Sequence, residues 1–298
     1  MQHPHLDKSL LAGLIFLVIA SACSEKPSPL PQVSMADTTG VSSTGAILLH
    51  GNMVVIPTPA LVSHLIASQA IPFDPAAAVD ATHPEQWTGE IKKALNLGVL
   101  GADLSYLINH GRNAEIPTYL ASIRNLTDDL GISQEVEPEL LSQIEAGLDQ
   151  PERMLGLQSV FFHNLQKYLT KNNRAEINTC ILLGGWAESM FHLASPADSI
   201  VGHPLDHVLA EQTYSAEGVS ALAASIDHET FAEIRQSFLN LCELLAELEK
   251  SYEFRPPIHD HREGITYLRS SSKVSCPDDK LVSIHEHIQE LRNLIITP

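Results

Sequence analysis

The sequence predicts an all-α fold, a multi-helix bundle with a short β-hairpin before the C-terminal helix. Two observations carry this. Proline recurs just where apolar 3.6-residue periodicity begins, at Pro59, Pro84, Pro138, Pro151, Pro204 and Pro277. That is the placement expected at a first helical turn, where the missing N–H costs nothing. Between these prolines the apolar residues repeat at helical intervals, and the connections are short enough for antiparallel neighbours in a bundle.

Helices are expected over 59–69, 85–111, 114–130, 138–148, 151–171, 174–195, 204–225, 228–252 and 278–295. Asn173 with Glu176 has the form of a capping box, and Asp227 suits an N-cap. Gly131 after Leu130 suits a C′ glycine. In 228–252, Phe231, Ile234, Phe238, Leu241, Leu245 and Leu248 share one face while Glu233, Gln236, Glu243, Glu247 and Lys250 share the other. Residues 264–275 read as strand, turn and strand, and 47–56 as another short strand. No period of 20–50 residues suggests a solenoid.

Ahead of this domain the chain carries an address. Residues 9–22 form an apolar run after Lys8, too short to span a membrane comfortably and right for a signal-peptide core. Ala20-Ser21-Ala22-Cys23 matches a bacterial lipobox. Such a motif implies a signal peptide over 1–22, cleavage before Cys23, and acylation (palmitate among the usual chains) of its thiol and new amino group. Several acyl chains anchor firmly, since each buried CH₂ contributes about 0.8 kcal/mol. Residues 23–45 are rich in Ser, Thr, Pro and Gly, and read as a lipid-anchored flexible linker. The helical domain follows over 46–298. Ser24 after the anchor cysteine favours the outer membrane under the sorting rule known from some bacteria. The expected location is thus the cell envelope, lipid-anchored at the outer membrane, as a periplasmic or surface component.

Composition narrows the partners. The net charge of −18 argues against nucleic acid and against electrostatic binding to anionic lipid. The membrane is expected as a partner only through the anchor, and the sequence names no protein or small-molecule partner. Apart from Cys23, the cysteines are Cys180, Cys242 and Cys276, with no CxxC; the first two sit among Ile, Leu and Ala as small buried hydrophobes, and spacing leaves open whether any pair is bridged.

Two helices break the amphipathic pattern. Residues 92–110 and 177–194 are apolar nearly all round, which marks helices buried in the middle of the bundle. They hold Gly98, Gly101, Gly184 and Gly185, and each interior glycine costs about 1 kcal/mol relative to alanine. Close approach of the two backbones is the simplest compensation. The same helices hold Asp103 and Glu188, and an isolated buried carboxylate is expensive unless paired or protonated. A candidate pocket follows: Asn96, Asp103 and Tyr106 from one helix face, Trp186 and Glu188 from the other helix. The alternative is a structural role, each acid held separately by a helix terminus or a basic side chain with no open cavity between them.

No metal site is assigned. His285 and His287 point to different sides of a helix, Pro204 puts His203 outside the helix that holds His207, and His259 with His261 lacks a third ligand. No HExxH, GxSxG, P-loop or dinucleotide fingerprint is present, so no catalytic residue and no cofactor are expected.

The lipobox together with IPTPALVSHL (56–65), KKALNLGVLGADLSYL (92–107), IRNLTDDLGI (123–132), LLGGWAESMF (182–191) and IHEHIQELRNLII (284–296) resembles a group of uncharacterised bacterial helical lipoproteins. The LGVxGADLxY and GGWxE stretches are the most specific pieces. The resemblance implies a helical fold and an envelope address, and no activity. Two function classes stay open: a non-enzymatic binding or scaffold component, and a helical-bundle enzyme or metal protein using the Asp/Glu pair.

Overall fold

Two central helices organise the domain. In the computed structural model, α2 (Glu90–Asn109) and α6 (Ala175–Ala194) are buried along most of their length; from Ala94 to Ile108 every residue is buried. The structure describes residues 44–49, 52–133, 138–147, 150–194, 202–260, 262 and 264–298. Signal peptide, Cys23 and nearly all of the expected linker lie outside these residues.

The fold is a mostly helical bundle with short antiparallel strand pairs. The other helices are α1 (Pro59–Ser68), α3 (Ile116–Asp129), α4 (Pro138–Ala146), α5 (Pro151–Lys171), α7 (Asp206–Ala210), α8 (Thr213–Ala224), α9 (Ala232–Ala246) and α10 (Asp278–Ile296). Strands β1 (Thr44–Leu49) and β2 (Asn52–Pro57) pair with Ile47 opposite Val54. Residues 249–275 form nested pairs: β3 (Glu249–Glu253) with β6 (Ser271–Ser275) outside, β4 (Ile258–Asp260) with β5 (Ile265–Tyr267) inside.

Local chemistry sets the ends. Thr58 caps α1, its Oγ1 accepting from Leu61 N–H at 3.3 Å, with Pro59 in the first turn. Pro138 and Pro151 likewise begin α4 and α5. Gly131 ends α3 at φ 67°, and Ile132 N–H reaches back to Thr127 O at 3.0 Å, closing a Schellman turn.

Several expected boundaries move. Pro84 begins only a 3₁₀ turn, Pro84–Gln86, and α2 starts after Gly89, whose φ of 79° no helix can continue. Asn173 is not an N-cap: at φ 59° it ends α5 in the left-handed conformation that asparagine tolerates, with Arg174 N–H on Leu169 O at 2.9 Å. Residues 204–225 break into α7 and α8. His228, not Asp227, precedes the turn before α9, its Nδ1 accepting from Thr230 N–H at 3.3 Å. The predicted face of α9 is buried from Phe231 to Leu248, yet the helix stops at Ala246 and the chain turns into β3. The expected 264–275 hairpin is replaced by the longer nested arm, because β5 and β6 each find a partner upstream of the turn rather than one another.

The glycines explain the core. A Cβ on Gly184 would lie 1.9 Å from Leu95 O, and one on Gly98 2.0 Å from Ile181 O, so α2 and α6 touch backbone to backbone. Gly185 lies over Gly98 O, whereas Gly101 faces the Phe162 ring of α5. The two helices run in the same sense, since positions 95–98 meet 181–185 while Asp103 meets His192 farther along both. Gly184→Ala therefore has to push backbone from backbone. We expect a loss of several kcal/mol in urea unfolding, at or above the upper end of the ~1–3 kcal/mol usual for overpacking. Gly101→Ala meets only a side chain that can turn, and is expected to lose clearly less.

Candidate functional site

Between α1 and α2 the chain crosses the bundle as an irregular strap, residues 70–89, and buries Ile71, Ala77, Val79, Ala81, Pro84 and Trp87. Buried backbone without helix or sheet must find other partners. Side chains supply them. Tyr106 Oη accepts from Asp74 N–H at 3.1 Å, and Asp103 Oδ2 from Val79 N–H at 3.0 Å. The Tyr119 hydroxyl donates to Val79 O, the Ser122 hydroxyl to Ala81 O, and an Arg292 Nη2–H reaches Ala77 O at 3.4 Å.

Beneath the strap four ionisable side chains meet. Asp103 Oδ1 lies 3.0 Å from His192 Nε2, and Glu188 Oε1 lies 3.7 Å from the same nitrogen. Arg292 grips Glu188 with two arms, Nε at 2.9 and 3.0 Å from the two oxygens and Nη2 at 2.8 Å from Oε1. The rings are packed as firmly as the charges: Tyr106 stacks on His192 with centroids 4.5 Å apart, and the Arg292 guanidinium lies 3.9 Å over Phe191. Asp103 and Glu188 are fully buried, and His192 is 2% exposed.

Burial decides the protonation. It raises the Asp103 carboxyl to about 7, against the pull of the Val79 N–H and Arg292. It raises Glu188 to about 7 as well, helped by the neighbouring Asp103 charge. It lowers His192 to about 4, so the imidazole is neutral. Desolvation works against the Arg292 charge, but Glu188, with Asp103 and Tyr119, outweighs it, so Arg292 keeps its proton more tightly than usual. One cation therefore faces two acids, and a single proton held by the carboxyl pair leaves the cluster neutral.

The five sequence-predicted pocket residues divide. Asp103, Tyr106 and Glu188 come together. Asn96 does not: its Nδ2 donates to Ile295 O at 3.0 Å, and with Lys92 and Trp87 it covers the last carbonyls of α10. Trp186 does not either, lying against Phe238 of α9 at 6.2 Å between centroids. The acids are also not held separately, as the structural alternative supposed, but converge on His192. Sequence reading missed His192, Arg292 and Tyr119. Two signals were available: His192 is one turn beyond Glu188, and Arg292 falls on the buried stripe of α10 with Ile288, Leu291 and Ile295.

Among the described residues, Asp103, Glu188 and His192 are the set of His, Cys, Asp or Glu side chains whose ligand atoms lie within 4.8 Å of one another. Elsewhere His259 Nδ1 pairs with Thr266 Oγ1 at 2.9 Å, and His203 Nδ1 accepts from Leu205 N–H at 3.2 Å; His261 is outside the described residues. Cys180, Cys242 and Cys276 are free thiols, and burial raises the first two to about 12, which keeps them unreactive. Compared with known proteins, the chain matches no family model, no curated protein and no solved structure.

Two outcomes follow from the cluster. Arg292→Met leaves Glu188 buried without its cation and should cost about 3–5 kcal/mol in urea unfolding, with much of it regained when Glu188→Gln is added. The second concerns pH. Each carboxyl is raised above its unfolded value near 4, so the folded state binds its proton better, and that stabilisation is lost as pH rises from about 4 through about 7. His192, depressed from 6.5, contributes the opposite slope between about 4 and 6.5. Relative to the parent, Asp103→Asn removes one carboxyl and the repulsion acting on the other. Its stability should fall less, or rise, between pH 5 and 7.5. Superimposable pH profiles of the two proteins would contradict the shared-proton assignment.

Proposed function

We propose that this protein is a lipid-anchored component of the bacterial cell envelope whose helical domain acts as a non-enzymatic binding or scaffold element. The address rests on the lipobox ending at Cys23 and the short apolar run before it. Among the described residues no helix is long and apolar enough to cross a membrane, so in this reading attachment falls to the acyl chains. Ser24 supports the outer membrane, and the resemblance to helical lipoproteins supports the envelope address.

One observation favours a non-enzymatic role: the polar centre of the bundle is spent on holding the fold. Asp103 is occupied by Val79 N–H and His192, and both oxygens of Glu188 lie in the Arg292 fork. Both acids are fully buried, with the strap above them. A reacting group needs a path to substrate and a free valence, and these acids are committed on both counts.

The close meeting of Asp103, Glu188 and His192 favours a second reading, a metal centre with one nitrogen and two carboxylate ligands. In that reading a divalent ion would share Glu188 with a guanidinium at 2.8 Å, a like-charge contact that opposes binding.

One preparation tests both readings. Washed envelopes should retain the protein, and a variant in which residues 1–23 are replaced by an ordinary cleavable signal peptide should appear in the soluble periplasmic fraction. A mutant still held by washed membranes would overturn the lipid argument. Elemental analysis of the protein purified without chelator should find no stoichiometric metal. One equivalent, lost in Glu188→Gln, would favour the metal centre.

A further inference from the structure

The arm formed by residues 249–275 differs from the rest of the molecule. From Lys250 to Ser275 every residue whose burial is described is exposed, save Ser270 and Val274. Even so, its large side chains are apolar: Tyr252, Phe254, Ile258, Ile265, Tyr267 and Leu268 are between 47% and 85% exposed. Register gathers three of them. Ile258 stands opposite Tyr267 and Asp260 opposite Ile265, so Ile258, Ile265 and Tyr267 share one face. A two-stranded ribbon is marginal in water by itself, and an apolar patch of this kind marks a surface that meets something.

Charge indicates what it meets. The arm sequence carries five Lys or Arg against four Asp or Glu, while the whole chain carries −18. Arm and body are therefore opposite in sign, and the body offers a matching recess. A cleft of about 650 Å³ opens between the start of α9 and the later half of α10. Exposed Glu233, Glu286 and Glu290 line it, with Ile234 and Leu294 as its apolar floor. Its one lysine, Lys92, is spent on the α10 carbonyls of Leu294 and Thr297 at 2.6 and 2.7 Å.

We propose that the arm of one copy of this chain docks in the acid-lined cleft of a second copy, in a reciprocal exchange about a two-fold axis. The placement of the two surfaces fits that symmetry. The arm leaves the bundle where α9 ends and α10 begins, and the cleft lies at the other end of the same helix pair. A two-fold axis across this pair puts each arm beside the other copy's cleft and closes the assembly at two. The 15 residues of α9 span about 22 Å. One side of the arm, 249 to 260, extends at most to about 40 Å, enough to cover that span. Exposed Arg269 then faces the three glutamates, Arg255 being paired with Glu253 of its own arm at 2.8 Å, while Phe254 and Leu268 cover Leu294. A second copy is the partner for which both halves of the contact are already present. The inference deepens the scaffold reading by naming a partner, and it stands whether or not Cys23 carries lipid.

Sedimentation velocity on the chain from Ser24 to Pro298, which lacks both the signal segment and the acylated cysteine, tests it independently of the anchor. A concentration-dependent dimer is expected at micromolar protein, weakening as salt rises. Arg269→Glu and Glu290→Arg should each weaken dimerisation at least tenfold, and the two reversals in one chain should restore it. Leu268→Ser, exposed and unable to unfold the bundle, should weaken it as well. A chain that stays monomeric to 100 micromolar overturns the proposal, as does a dimer indifferent to these substitutions or a charge swap that fails to restore it. A monomer that instead binds anionic vesicles through the arm would overturn it in favour of a membrane-facing role.

Discussion

A stretch of chain with no α-helix or strand, only two 3₁₀ turns, crosses this protein with part of its length buried, and the polar cluster beneath it satisfies its buried peptide groups. The strap from residue 70 to 89 carries peptide groups into a region otherwise filled by leucine, isoleucine and valine. An unpaired buried donor or acceptor costs about 1–3 kcal/mol, so several left open would approach the whole stability of a domain. Asp103 takes the Val79 N–H, Tyr119 serves the Val79 carbonyl, and Tyr106, Ser122 and Arg292 serve positions on either side. A carboxylate accepts more strongly than a neutral oxygen, which is the reason for an acid at position 103. Its charge then creates the next requirement.

That requirement runs through the remaining members of the cluster. Asp103 leans on His192, Glu188 lies beside both, and Arg292 arrives from the last helix to neutralise the pair. The C-terminal helix is thereby tied to the centre by a bond whose loss would strand a charge. Its end is tied again by Trp87, Lys92 and Asn96 on its final carbonyls. Strap and last helix, far apart in sequence, are each held at two points by α2. The arrangement works because Gly98 and Gly184 let α2 and α6 approach until Asp103 and His192 can meet.

Most helices were legible because each carries its own evidence: a proline or cap at the start, an apolar stripe along one face, a glycine at the end. The two buried helices were legible for the opposite reason, having no polar face at all. What failed depended on distant partners. Asn96 and Asp103 do share a side of α2, but seven residues separate them by about 10 Å along the axis, and different neighbours cover each turn. The arm was read as a hairpin at 264–275 because its upstream strands, Glu249–Glu253 and Ile258–Asp260, follow a helical stripe and two prolines that hide them. The strap has no periodicity to read. His192 and Arg292 were visible as polar residues on buried faces, yet only the strap gives them their purpose.

The contrast between the interior and the arm sets the direction of the functional argument. Beneath the strap, the buried polar groups are matched to one another and to the backbone that needs them, although elsewhere in the core Asn96 Oδ1, Trp186 Nε1 and His285 Nε2 are buried without a partner. On the arm, apolar groups are exposed, and Tyr252, Phe254 and Leu268 stand outside the bundle's core among the described residues. Buried polarity that is fully satisfied serves the fold, whereas exposed apolarity that is unsatisfied looks outward. The polar cluster at the centre thus ties strap, central helices and last helix together, while the arm carries its exposed apolar side chains outside that core.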